Sequence, residues 1–210
     1  MKVQRPDVIA AAMALLDEVG VDGLTMRRLA QALHIQAPSL YWHFANKQAL
    51  LDAMADAILA DMALPPDDGL RWDEWLRAVA LEFRRALKAR RDGARVYAGT
   101  FPVMDNVLRI GDQVIGTLRA AGADERTAVH TLFTLQYFVL GFTIEEQATM
   151  PPPKGEGVEL ARLAQAVTVA QAARYPNAAS AVALLAADDD DARFRFGLDR
   201  LIDGLRAVIP

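Results

Sequence analysis

Cysteine is absent from the sequence. Disulfides and thiolate metal sites are therefore excluded, and a reducing cytosol, hence a cytoplasmic protein, is the natural expectation. The three histidines, His34, His43 and His130, are too dispersed for a metal motif. No G-x-S-x-G, H-E-x-x-H or phosphate loop occurs, and the adjacent Glu145 and Glu146 would face different directions on a helix. These absences argue against an enzyme, with no catalytic residue, metal or cofactor expected. No run approaches about 18 uncharged apolar residues, so no membrane-spanning segment is expected. The opening "MKVQRPDVIAAAMALLDEVG" starts with charge but then carries Asp7, Asp17 and Glu18, which argues against a signal peptide. Alternating strand residues and internal repeats are also missing. Aromatic residues are scarce at 7 %, whereas the apolar fraction of 53 % is rich in alanine, which favours helix.

Helical periodicity runs from end to end and points to an all-α protein. Val8, Ala11, Ala12, Leu15 and Leu16 line one face of a first helix, about residues 6–19, which "GVDG" stops. Thr25 is a good N-cap for a short second helix whose inner face is Leu29, Ala30 and Leu33. After the turn "HIQAP", Pro38 suits the first position of a third helix. Leu40 and Phe44, four apart, point that helix inward. Asn46 can cap a fourth helix with the seam Leu50, Leu51, Met54 and Ile58. "ALPPDDG", residues 63–69, is the best internal boundary. Longer helices are expected over about 72–88, 103–120, 125–148, 158–174 and 192–208, with "MPPPKGEG" (150–157) as a loop.

Two short helices braced by a first one describe a helix-turn-helix, whose second member would lie in the DNA major groove. With Leu40 and Phe44 buried, the consecutive rings Tyr41, Trp42 and His43 fall on the exposed side or its flanks. Their polar atoms can donate hydrogen bonds to phosphates. Pro38 and Ser39 lie at the tip that approaches base edges, where a thymine methyl suits Pro38. Arg27, Arg28 and Lys47 flank this surface as phosphate contacts. Residues 1–48 carry a net charge of +1 and the remainder −5, which is compatible with double-stranded DNA binding through the head.

The segment "GLTMRRLAQALHIQAPSLYWHFANKQALLDAM" resembles the tetracycline-repressor (TetR) family of bacterial transcription regulators, strongly over residues 5–60. The resemblance implies that Thr25, Arg27, Pro38, Ser39, Tyr41, Trp42, His43 and Lys47 contact or frame operator DNA. Ala37 stands where tetracycline repressors often have Gln, and alanine cannot make a bidentate base contact.

"RRDGARVYAGTFP" and "FVLGFTIEEQ" extend the resemblance into the tetracycline-binding subfamily. It implies a homodimer held by a four-helix bundle. The 158–174 segment or its neighbours and the 192–208 segment, with Phe194, Phe196, Leu198, Leu201, Ile202 and Leu205 on one face, are candidates for it. In that subfamily the pocket holds a magnesium–tetracycline chelate. Phe83, Thr100 and Gln113 stand at its aromatic wall and polar contacts, and Glu145 at a carboxylate acting through water. Tyr97, however, replaces the metal-binding histidine, and Ala63 and Val79 replace two polar drug contacts. A neutral tyrosine is a poor magnesium ligand. The expected pocket is more apolar, drawn from Phe83, Tyr97, Phe101, Met104, Phe133, Phe138 and Phe142, and takes a metal-free hydrophobic or aromatic inducer. The expected layout is a helix-turn-helix DNA-binding domain over 1–48, a connecting helix and linker over 49–68, and a larger helical ligand-binding and dimerisation domain over 69–210. The resulting reading is a ligand-responsive repressor; a constitutive DNA-binding protein without an inducer is the alternative.

Overall fold

The computed structural model describes residues 3–66, 69–100, 103–149, 165–187 and 189–210. Every regular element among them is helical. The head comprises α1 (Arg5–Gly23), α2 (Met26–Ala32) and α3 (Ala37–Tyr41). The connecting helix α4 spans Lys47–Ile58. The Thr25 hydroxyl accepts from Arg28 N at 3.2 Å, and Asn46 Oδ1 accepts from Ala49 N at 2.8 Å, so both expected caps form. Val8, Leu16, Leu29, Leu40, Phe44, Leu50 and Met54 are buried together as one core. A helix of five residues cannot persist alone. Leu40 and Phe44 therefore hold α3 through tertiary packing.

The "GVDG" stretch does not end α1 as expected. The chain breaks at Gly20 (φ 70°, ψ 173°) and then turns helically again to Gly23. Positive φ is inexpensive only for glycine. A Cβ at Gly20 would also lie 2.7 Å from Asp92 Oδ2, which accepts from Val21 N at 2.9 Å.

The body is built from α5 (Trp72–Lys88), α6 (Gly93–Ala98), α7 (Asp105–Ala120), α8 (Glu125–Thr149), α9 (Val169–Arg174), α10 (Pro176–Ala187) and α11 (Asp190–Leu205). The short α6 and the alanine-rich α10 have no counterpart in the sequence reading. Of the expected 158–174 helix only Val169–Arg174 is seen as α9; residues 158–164 and the expected 150–157 loop lie outside the described residues. Helix α8 packs against α5, α6, α7 and α11. By length and composition α8 is the one described helix able to cross a membrane, which corrects the expectation that no segment qualifies. It instead buries Thr131, Thr143 and Glu146 inside the body.

Glu146 explains much of the body's geometry. Its carboxylate accepts from Arg84 Nε and Nη2 at 2.9 and 2.7 Å and is also bonded by Lys88. Arg84 Nη1 donates to Asp191 Oδ1 at 2.6 Å, and the guanidinium lies over the Phe194 ring at 4.6 Å. Burial alone would lower the Arg84 pKa, but the hydrogen bonds to Glu146 and Asp191 outweigh it and raise the pKa. Helices α5, α8 and α11 are thus joined by one paired charge group. The face Phe194, Leu198 and Ile202, expected to meet a second chain, is spent here: all three are fully buried within the protomer, while Phe196 points out.

Glu146→Ala leaves Arg84 buried with half of its partners. A loss of about 3–5 kcal/mol in urea unfolding is expected. The apolar double replacement Arg84→Met with Glu146→Leu is expected to recover most of it; a double variant as unstable as the single one would show that the pair is not the source.

Candidate functional site

Two separate surfaces emerge. On the head, Thr25, Arg27, Arg28, Pro38, Ser39, Tyr41 and Trp42 are all exposed. Trp42 is 90 % and Tyr41 53 % exposed, large values for rings of this size. His43 is half-buried, and its carbonyl accepts from Arg5 Nη1 at 3.2 Å. The Arg5 guanidinium also lies over the Phe44 ring at 4.4 Å, so Arg5 braces the end of α3. Sequence reasoning missed that role, because the pairing spans 38 residues. Arg27 projects freely, whereas Arg28 Nη1 donates back to Gly23 O at 3.0 Å. Lys47 Nζ lies 3.4 Å from Val21 O, at the base of the surface.

In the body, the segment after α4 together with α5, α6, α7 and α8 lines a cavity of about 910 Å³ that is partly open to solvent. Its wall includes Leu59 and Met62 beyond α4, Val79 and Phe83 of α5, Tyr97 of α6, Ile110 and Val114 of α7, and Phe133 and Gln136 of α8. The Phe83 and Tyr97 rings meet edge to face, 5.3 Å apart at 72°. Burial, with the negative charge of Asp56 as the second cause, pushes the Tyr97 phenol up to about 12.

Of the ten residues expected around a pocket, this cavity brings together Phe83, Tyr97 and Phe133. Thr100 is buried, but its hydroxyl donates to Tyr97 O at 2.8 Å and closes the end of α6. Met104 is half-buried at the N-cap of α7 and outside the wall; Gln113 is exposed on α7. Phe101 lies outside the described residues. Phe138 and Phe142 depart from the expectation: both pack on Phe194, at 5.3 and 5.2 Å between centroids. At 100° per residue, positions five and nine beyond Phe133 turn towards α11 rather than α7. With Glu145 they line a second space of about 390 Å³ at the C-terminal end of α8. The aliphatic wall residues Leu59, Met62, Ile110 and Val114 escaped the sequence reading because they look like ordinary core.

Among the described residues, no three His, Asp or Glu side chains group to hold a metal ion. The donors beside Tyr97 do not fit a magnesium chelate. Asp56 is spent on α7, accepting from Asn106 N at 3.0 Å, Asn106 Nδ2 at 2.8 Å and Val107 N at 3.2 Å.

Head and body are pinned together through the turn before α6. Asp17 accepts from Arg90 Nη1 at 2.7 Å and from Arg91 N at 3.1 Å, Arg91 Nη1 donates to Glu18 O at 2.8 Å, and Arg95 forks onto Asp22 with two bonds of 3.1 Å. Gln48 Nε2 donates to Gly99 O at 3.0 Å at the other end of α6.

A helix-turn-helix head fixed to a helical body with an apolar cavity defines a one-chain transcription regulator that answers a small molecule. The model for bacterial regulatory proteins of the tetR family matches residues 8–54, and that for the tetracyclin repressor-like C-terminal domain matches residues 64–209. The chain belongs to the TetR family and is a ligand-responsive transcriptional repressor. It is 42 % identical to tetracycline repressor protein class A from transposon 1721 of Escherichia coli, over 97 % of this chain and 91 % of that protein. It superposes with a TM-score of 0.85 and 44 % identity on a possible TetR family transcriptional regulator from Streptomyces coelicolor A3(2), covering 98 % of this chain and 100 % of the other. The Streptomyces coelicolor TetR family protein ActR in complex with actinorhodin superposes with a TM-score of 0.86 at 29 % identity, covering 99 % and 98 %.

The raised Tyr97 pKa carries a pH signature. The unfolded phenol ionises near 10.0 and the folded one at about 12. Stability from this group is complete below the lower value and is lost as pH rises between the two. In a near-ultraviolet titration a phenol step at about pH 12 is expected from Tyr97, and Tyr97→Phe to delete that final step. A final step that survives the substitution would place the buried phenol elsewhere.

Proposed function

We propose that the chain acts in the cytoplasm as a homodimer on a two-fold operator and is released by a hydrophobic or aromatic molecule bound without a metal. The observation that carries the inducer reading is the cavity wall, where Phe83, Tyr97 and Phe133 join a largely aliphatic lining and, among the described residues, no three His, Asp or Glu side chains group to hold a metal ion. ActR with actinorhodin supports it, since that protein of the same architecture holds a small molecule. In this reading the wall residues bind the inducer, with Thr100 supporting Tyr97 from behind and Met104 at the N-cap of α7. Gln113, Phe138, Phe142 and Glu145, outside the wall, take no direct part in the reading.

For DNA, the reading assigns base edges to Pro38 and Ser39, and phosphates to Thr25, Arg27, Tyr41, Trp42 and His43. Arg28 and Lys47, both turned towards the backbone of α1, frame the surface. The dimer is read on the exposed faces of α8 and α11, where Phe133, Tyr137 and Phe196 present apolar rings. Gly141 and Gly204 leave open space beside them for close approach. A dimer sets two recognition helices on successive major grooves, about 34–36 Å apart.

The test begins with selection of an operator from random DNA by the purified protein. Sedimentation of the complex is expected to show two chains on a palindromic site; one chain per site would reject the dimer. Titration of that complex with aromatic compounds and tetracyclines, with Mg²⁺ or with a chelator, is expected to release DNA equally in both conditions. By linkage, operator must weaken ligand binding by the factor by which ligand weakens operator binding. Release by a tetracycline only when Mg²⁺ is present would overturn the metal-free reading.

Arg27→Ala is expected to weaken operator and random DNA alike and to reduce the salt slope by about one unit. Anisotropy titrations over a salt series measure this, and an unchanged slope would remove Arg27 from the phosphate contacts.

A further inference from the structure

The cavity wall is almost wholly apolar, yet it contains one buried hydroxyl that no described residue bonds. Tyr97 is only 7 % exposed. Its ring is fixed edge-on against Phe83. Among the described residues its hydroxyl has no hydrogen-bond partner, whereas every fully sealed side-chain nitrogen or oxygen is satisfied. The hydroxyl is therefore open to the space that its ring lines. A hydroxyl that faces such a space bonds water there, and a ligand that displaces the water binds best when it supplies an acceptor in its place.

We propose that the Tyr97 hydroxyl is the specificity-determining group of the cavity, donating a hydrogen bond to the carbonyl or other acceptor oxygen of an uncharged aromatic ligand. This rests on the inducer reading above and narrows its chemistry. The acceptor is required because the phenol stays protonated throughout the physiological range, so it enters the site as a donor. The ligand is uncharged rather than anionic because the negative field there opposes an anion. Asp56 acts on Tyr97 from behind, and Asp105 and Asp112 stand in the wall. Among the described residues the wall's cation is Arg109, which is turned with Nη2 3.4 Å from Leu59 O. The ligand is aromatic because the Phe83 and Phe133 rings and a flat aliphatic lining face it.

The experiment uses the full chain and three matched four-ring probes: benzanthrone, which has one carbonyl; benzanthrene, the same skeleton without oxygen; and a benzanthrone carboxylate. Affinities are read by fluorescence titration, and the carbonyl stretch of bound benzanthrone by infrared difference spectroscopy. The wild type is expected to prefer benzanthrone over benzanthrene by roughly three- to tenfold, the worth of one net hydrogen bond. The bound carbonyl stretch should be shifted down. Tyr97→Phe should erase both the preference and the shift while leaving benzanthrene affinity and thermal midpoint nearly unchanged. Gln113→Leu, which changes a polar side chain outside the wall, should keep both. The carboxylate should bind more weakly than the ketone, and Asp56→Asn should narrow that gap.

A preference or shift that survives Tyr97→Phe overturns the assignment, as does equal binding of the ketone and the hydrocarbon; in both cases the aromatic-inducer reading stands. Tighter binding of the carboxylate than the ketone overturns the uncharged class. Failure of all three probes to bind overturns the assignment together with the aromatic-inducer reading.

Discussion

The turn ahead of α6 is the constraint on which the other contacts depend. Gly93 sits where any Cβ would lie 2.2 Å from Leu87 O, so the chain can reverse there only with glycine. Asp92 beside it adopts φ 54°. From the body side, Gln147 of α8 holds this reversal by accepting from Ala94 N at 3.1 Å and donating to Leu87 O at 3.2 Å and Arg90 O at 2.8 Å. From the head side, Asp17, Val21 and Asp22 seize the same few residues. One short reversal thus belongs to both halves of the protein. Tyr97 lies a single helical turn further on, so one six-residue helix carries both a residue of the cavity wall and Arg95, which holds the head through Asp22.

Rigidity around that reversal comes from polar groups that have no freedom left. Asp56 fastens α4 to the first turn of α7 with three bonds, and Arg84 with Glu146 fastens α5 to α8. Asp73 does the same at the chain's end. Burial raises its pKa, but hydrogen bonds from Arg206 and Arg71 outweigh that and hold the carboxyl below its usual range. Removing one partner of such a group costs more than the bond itself, because the remaining charge stays buried. Displacement of one helix by a ligand is therefore carried to its neighbours rather than absorbed between them.

The head was legible because its signals are local. Thr25 and Asn46 cap helices within three residues of themselves, and Leu40 and Phe44 are one turn apart. The break at Gly20 was not legible, because its reason, Asp92, lies 71 residues away from the amide it binds. Helix α6 is too short to show a period. For the cavity, the resemblance supplied Phe83 and Tyr97, and both line it together with Phe133. Phe138 and Phe142 failed for a geometric reason. A helix that serves a cavity on one side and α11 on another carries aromatic rings for both, and composition does not say which is which. Leu59, Met62 and Val114 had no distinguishing chemistry at all, since an apolar wall and an apolar core are built from the same residues.

The cavity also bears on how long the regulator lasts. Protein interiors are close-packed, and helices that line a space of about 910 Å³ make fewer dispersion contacts with one another than helices that meet directly. If the proposed ligand binds there, it stabilises the folded chain by mass action, and proteases act on opened chains. On the proposed reading, occupancy would bear on turnover as well as on DNA binding: among chains away from the operator, the unliganded one is the more easily opened.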